Sequence, residues 1–207
     1  MFVISTLSDS HVRVLPENLA KPRVEALKDA LEAIYVDTVF PSLGLCISLY
    51  EILSVEGGTV YQLDGAATFS VEFSLVMFRP FVGEILTGKL IKCNKQGLRL
   101  SLGFFDDILV PEHALQEPSV FDSKENLWVW TVDDNEAFMD LGEEVRFRVS
   151  ALQFPEEPSQ SSLVEAPPEG APAETEARIG SAGNPFAPML IEGDINADGL
   201  GCVSWWQ

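Results

Sequence analysis

Apolar and polar positions divide the chain into stretches of different period. Residues 1–15 read as a strand, MFVISTL, a polar turn, SDSH, and a second strand, VRVL. Val24, Leu27, Leu31 and Ile34 then recur at helical spacing behind Pro22, which suits a first helical turn. The spacing predicts a helix from about Pro22 to Ile34. Alternation returns at Leu45, Ile47 and Leu49. Gly57-Gly58 predicts a turn, Thr59–Gln62 a short strand and Asp64-Gly65 another turn. Phe69, Val71, Phe73, Leu75 and Met77 mark a long half-buried strand that Pro80 closes. One helix against an antiparallel sheet makes residues 1–80 a small α+β domain.

Residues 81–83, FVG, lack the Ser, Pro and charge of a flexible linker, so a rigid junction is expected. From Glu84 to Val149 only strand signals appear: GEILTGKLIKC, LRLSLG, DILVP, NLWVWT and EEVRFRV, with a small helical piece around Glu112–Leu115. Both faces of the first strand carry apolar residues, as a bulged barrel strand would. The set fits a five-stranded, partly open barrel. Residues 155–185 hold six prolines, no aromatic residue and one basic residue, which predicts a disordered acidic insertion. PMLIEGDI and LGCVSWW, around a turn at 197–199, predict a terminal hairpin that supplies the closing barrel strand.

Composition narrows the chemistry. No stretch approaches the ~20 apolar residues of a membrane helix. MFVISTLSDS does not read as a signal peptide, so a soluble intracellular protein is expected. The three cysteines are scattered, with no CxxC pair and only two histidines, so neither a zinc site nor another metal or cofactor is expected. The net charge of −19 disfavours free-standing, non-specific nucleic-acid binding. RNA contact would need a local basic face. Lys89, Lys92, Lys95 and Arg99 offer one, with Arg146 and Arg148 pointing outward from a neighbouring strand. Phe104 and Phe105 sit where a base could stack. The same residues also fit an ordinary solvated face and a barrel cap. Trp128 and Trp130 share a strand face, as a stacking platform or, better, as packing. Asp106-Asp107 and Asp133-Asp134 point to opposite faces, so neither pair converges on a metal ion. There is no nucleophile elbow or phosphate loop, and no catalytic residue is assigned.

Three segments carry a resemblance. GLCISLYEI with GGTVYQLDGAATFSVEF resembles a strand, tip loop and strand; VMFRPFVGEILTGKL resembles a domain junction; RLSLGFFDDILVPEHAL and GLGCVSWW are the most specific. Together they are similar to the stalk subunits shared by archaeal and eukaryotic nuclear RNA polymerases, in the polymerase III branch. The resemblance implies an α+β RNP-like N-terminal domain (1–80) followed by an all-β OB-fold barrel (81–207). It also implies a non-catalytic nuclear subunit that pairs with a second, smaller stalk subunit, supports initiation and contacts nascent single-stranded RNA. Gly58, Val60, Tyr61, Leu63, Asp64 and Gly65 would form the loop that docks on the polymerase core. A free-standing OB-fold RNA binder in translation or decay is the alternative.

Overall fold

The structure is a computed structural model that describes residues 1–60, 65–132, 135–155 and 187–206. Tyr61, Leu63, Asp64, Asp133, Asp134 and nearly all of the insertion expected at about 155–185 lie outside these residues. Contacts divide the chain into two compact units, Met1–Pro80 and Phe81–Gln207.

The first unit runs strand, helix, then three strands, and is mostly β. Strand β1 (Phe2–Val14), helix α1 (Arg23–Tyr35), the short β2 (Val39–Phe40), β3 (Gly44–Val60) and β4 (Ala67–Phe78) form a sheet of order β1-β4-β3-β2 with one helix packed on it. The unit is described by that order rather than as RNP-like. SDSH is not a turn: β1 continues through it, with a register shift between Asp9 and Val12. The Asp9 side chain holds the bulge. Its Oδ1 accepts the His11 amide at 2.8 Å, and its Oδ2 accepts the Tyr35 hydroxyl at 2.7 Å. Burial, then the Asp9 hydrogen bond and charge, push the Tyr35 phenol up to about 12. Gly57-Gly58 is not a turn either. Strand β3 stays paired with β4 through it, shifting register at Cys46, Leu49, Ile52 and Gly57. These shifts convert the usual alternation to a three-residue period, so Cys46, Leu49, Ile52 and Val55 all reach the core. The helix buries Ala26, Leu27 and Leu31; Val24 and Ile34, expected in its apolar stripe, are 58% and 50% exposed.

In the second unit, β5 (Ile85–Asn94), β6 (Gly97–Ser101), β7 (Ile108–Pro111), β11 (Glu144–Gln153) and β12 (Leu190–Asp194) form a ring. Its order is β5-β6-β7-β12-β11 and back to β5, so the barrel is closed rather than partly open. Every pairing is antiparallel except β7 with β12. Leu90, Leu98, Leu100, Ile108, Val110, Val145, Phe147, Val149 and Ile191 fill it, each at most 1% exposed. The two-sided pattern of β5 comes from a register shift between Leu90 and Lys92.

NLWVWT is not a barrel strand. It forms β9 (Leu127–Val132), the middle of a separate sheet with β8 (Ser119–Asp122) and β10 (Asn135–Phe138), inserted between β7 and β11. Trp128 is buried, stands edge-on to Phe121, and donates its indole N–H to the Asn94 carbonyl at 2.8 Å, tying this sheet to the β5–β6 turn. Trp130 meets Trp205 and Trp206 with ring centroids 4.8 and 6.3 Å away. The terminal segment is not a hairpin. β12 and β13 (Gly201–Cys202) lie in line along the same edge of β11, with residues 195–200 looping out between them. A 3-10 turn, Val203–Trp206, follows. All three cysteines are free, and burial pushes each thiol up, Cys93 to about 11. Among the described residues no helix is long and apolar enough to cross a membrane.

Candidate nucleic-acid interface

Register decides which polar side chains share a face of the barrel. Lys89 stands opposite Ser101 on β6 and Glu144 on β11. Lys92 stands opposite Arg99, Thr87 opposite Arg146, and Ile85 opposite Arg148. Strand alternation turns these side chains outward, because Gly88, Leu90, Leu100, Val145 and Phe147 point in. The basic residues therefore gather on the outer face of β6-β5-β11, and Lys95 sits at the exposed β5–β6 turn.

The lysines and arginines differ in what holds them. Lys89, Lys92 and Lys95 are exposed, with no ion pair among the described residues. Arg99 donates to the Asp106 carbonyl at 3.1 Å and pairs with Asp107 at 2.5 Å. Arg148 pairs with Asp194 at 3.0 Å, across the β11–β12 seam. Arg146 donates to the Gly199 carbonyl at 3.1 Å and so holds the 195–200 loop. The arginines thus clamp chain segments, and mobile positive charge is left to the lysines.

The two phenylalanines also separate. Phe105 is 8% exposed and belongs to the core, whereas Phe104 is 45% exposed on the β6–β7 loop. That loop is braced: Ser101 donates its hydroxyl to the Asp106 carboxylate and accepts the Gly103 amide at 2.9 Å. Beside it runs a groove of about 400 Å³ lined by Thr87, Lys89, Ser101, Leu102, Gly103 and Glu144, among others. Nothing in the linear sequence marked Thr87, Ser101 or Glu144, since only the pairing register brings them beside Lys89. The arrangement offers a groove with the Lys89 ammonium on its wall, two more lysines further along β5 and its turn, and an exposed ring on Phe104, the residue after the groove's Gly103. Backbone phosphates and a stacked base need those two elements.

Asp107 tests how the loop is held. Burial pushes its carboxyl above the usual 3.8, against the opposing pull of Arg99. A raised carboxyl pKa in the fold means this group's stabilising contribution is present at low pH and is lost as pH rises through the folded value. Burial, with the neighbouring Asp106 charge, thus opposes what the 2.5 Å pair with Arg99 contributes at neutral pH. Asp107→Asn is therefore expected to change unfolding free energy by less than about 1 kcal/mol at pH 7. Urea denaturation checks this; a loss above about 2 kcal/mol would mean the pair is a principal brace.

The tip residues split at the edge of the described chain. Gly58 and Val60 lie at the end of β3, Val60 being 56% exposed, and Gly65 is exposed where the chain returns to β4. Asp106 and Asp107 are engaged by Ser101 and Arg99, and no metal-holding cluster of His, Cys, Asp or Glu exists among the described residues.

Residues 84–206 match the family described as RNA polymerase III subunit Rpc25. Residues 9–65 match the SHS2 domain found in the N terminus of Rpb7p and Rpc25p. The chain is 39% identical to the DNA-directed RNA polymerase III subunit RPC8 of Bos taurus, covering all of this chain and 98% of that protein. It is 34% identical to RPC8 of Saccharomyces cerevisiae, over the whole of both chains. It is 24% identical to the DNA-directed RNA polymerase subunit Rpo7 of Saccharolobus solfataricus, covering 69% of this chain and 78% of that one. The chain belongs to the RNA polymerase III subunit Rpc25 family, whose N-terminal domain it shares with Rpb7-type subunits of other polymerases.

Proposed function

We propose that this chain is a non-catalytic stalk subunit of nuclear RNA polymerase III, paired with a second, smaller stalk subunit. Similarity over the full length of proteins named as polymerase III subunits carries the reading. Residues 1–80 act as the docking unit, with Gly58, Val60, Tyr61, Leu63, Asp64 and Gly65 as the loop that meets the core. Residues 81–207 form an OB-fold unit. The closed ring with a single parallel pair, between its third and last strands, supports that description. A free-standing RNA binder has no support among the relatives, and a chain at −19 is a poor scavenger of RNA. The polymerase delivers the transcript, and the barrel's lysine face meets it.

Affinity purification of the tagged chain tests the first part. Recovery of polymerase III subunits in equal amounts is expected, and a monodisperse monomer with no polymerase would overturn it. For the RNA contact, Lys89→Glu, Lys92→Glu and Lys95→Glu together should weaken single-stranded RNA binding by the stalk heterodimer. Each lost phosphate contact should lower the salt slope by about 0.7. An unchanged affinity and slope would remove the lysine face from the account.

A further inference from the structure

A cavity of about 350 Å³ opens in the second unit, between the 3-10 turn Glu112–Ala114 and the inserted β8-β9-β10 sheet. Leu115 and Trp128, 2% and 3% exposed, make its floor. Glu112, His113 and Glu117, all exposed, stand at its mouth. Gln116 lines it too, although it is only 7% exposed. Its Nε2 donates to the Ala197 carbonyl at 2.9 Å and the Leu200 carbonyl at 3.3 Å. Its Oε1 is left without a partner among the described residues.

The lining is rich in acceptors and poor in donors. Ser119 commits its hydroxyl proton to the Gln116 carbonyl, and Trp128 commits its indole N–H to Asn94. That leaves two carboxylates and the Gln116 Oε1 against the single His113 ring. No lysine or arginine lines the cavity, and neither Glu112 nor Glu117 has an ion pair among the described residues. Lys95 adjoins Gln96, whose carbonyl accepts the Glu112 amide at 3.0 Å, yet it pairs with neither carboxylate. An occupant must therefore bring N–H donors and positive charge, on a stem that tolerates an apolar floor. A guanidinium on its three-carbon stem has all of these. RNA fits poorly, because two unneutralised carboxylates repel phosphate. The surroundings favour a peptide over a free polyamine. The Trp130 indole N–H lies 3.5 Å from the Glu117 carbonyl, and Trp206, 43% exposed, lies 6.3 Å from the Trp130 ring. A peptide with an apolar residue next to its arginine covers that exposed ring, whereas a polyamine leaves it wet.

We propose that this cavity receives an arginine side chain of a partner protein. The guanidinium lies between Glu112 and Glu117 and donates to the Gln116 Oε1, its stem rests over Leu115 and Trp128, and a neighbouring apolar residue packs on Trp206. The inference stands on the second unit alone and does not depend on the polymerase reading.

The test has two arms. In the first, N-acetylarginine amide is titrated into the full chain while the Trp128 indole N–H is followed by nuclear magnetic resonance. A saturable shift is expected. Glu112→Gln with Glu117→Gln should weaken binding about tenfold, and Glu125→Gln, on the β8–β9 turn, should leave it unaltered. The three carboxylates are exposed, so the variants keep their fold, and the unliganded indole spectrum checks this. The neutral N-acetylcitrulline amide should give no shift. Equal shifts from the citrulline compound, no shift from the arginine compound, or tighter binding by spermidine would overturn the proposal. In the second arm, the photocrosslinker p-benzoylphenylalanine replaces the exposed His113, which the proposed contacts do not use, in the full chain in living cells. The expected crosslink falls on a protein segment with an arginine beside an apolar residue. The double glutamine variant should lower its yield about tenfold. A crosslink on RNA, within this chain, on a segment without arginine, or on nothing refutes the socket.

Discussion

Gly97→Ala is expected to unfold the barrel or bring it to the edge of unfolding. Gly97 has φ +140, and a Cβ there would lie 2.0 Å from the Val110 carbonyl oxygen and 2.9 Å from the Pro111 Cα. Those contacts are backbone, so no rotamer change relieves them. The β6–β7 pairing of Gly97 with Pro111 and Leu98 with Val110 would have to part, with two buried leucines attached. Backbone strain alone is worth about 1–3 kcal/mol. With the lost pairing, the total should exceed about 4 kcal/mol, a large share of the 5–15 kcal/mol typical of a domain. Gly103→Ala is the control. It also has positive φ, at +90, but meets nothing within 4 Å, so only strain applies. Equal effects from the two substitutions would show that the 2.0 Å approach is relieved some other way.

Phe73→Ala should cost the first unit about 3–5 kcal/mol. Phe73 is fully buried in the middle of β4, its ring 5.0 Å from that of Tyr35, so truncation leaves a hole between sheet and helix. The aromatic residues allow the two losses to be read separately. All four tryptophans lie after residue 80, and all three tyrosines lie before it. Guanidinium unfolding followed by tryptophan fluorescence reports the barrel unit, and tyrosine absorbance reports the first. Phe73→Ala should move the tyrosine transition by the larger amount and Gly97→Ala the tryptophan one. The reverse pattern would contradict both assignments.

Sequence periodicity read strands well where they alternate and poorly where they bulge. β4 and β6 alternate cleanly, and Phe69 to Met77 face inward as expected; of the leucine row 98, 100 and 102, the first two face inward and Leu102, past the end of β6, is only half-buried. β3 does not alternate, because repeated register shifts place every third residue in the core. No two-residue template finds that pattern, and it made Gly57-Gly58 look like a turn. The SDSH stretch misled for a related reason: its polar side chains satisfy a bulge and a tyrosine, which composition cannot distinguish from a solvated loop. The inserted β8-β9-β10 sheet was hidden because DDNEAFMD is acidic although part of it is a strand. At the candidate RNA face, the lysines were legible as exposed charge. The arginines were not legible as clamps, since their partners Asp107, Asp194 and Gly199 lie 8, 46 and 53 positions away. Phe104 and Phe105 are neighbours with opposite fates, and only the course of the loop tells them apart.

The place of β12 in the ring also sets a timetable for synthesis. The first unit has all its strands once residue 80 is outside the ribosome, but the seam between β7 and β11 stays open until residues 190–194 emerge. Once β11 is complete at Gln153, the wait for Asp194 is on the order of 2–8 s at common translation rates. During it the barrel presents two unpaired strand edges with Ile108, Val110, Phe147 and Val149 behind them. A nascent chain in that state is a substrate for chaperones, and a product truncated anywhere in the acidic insertion would be recognised as unfinished.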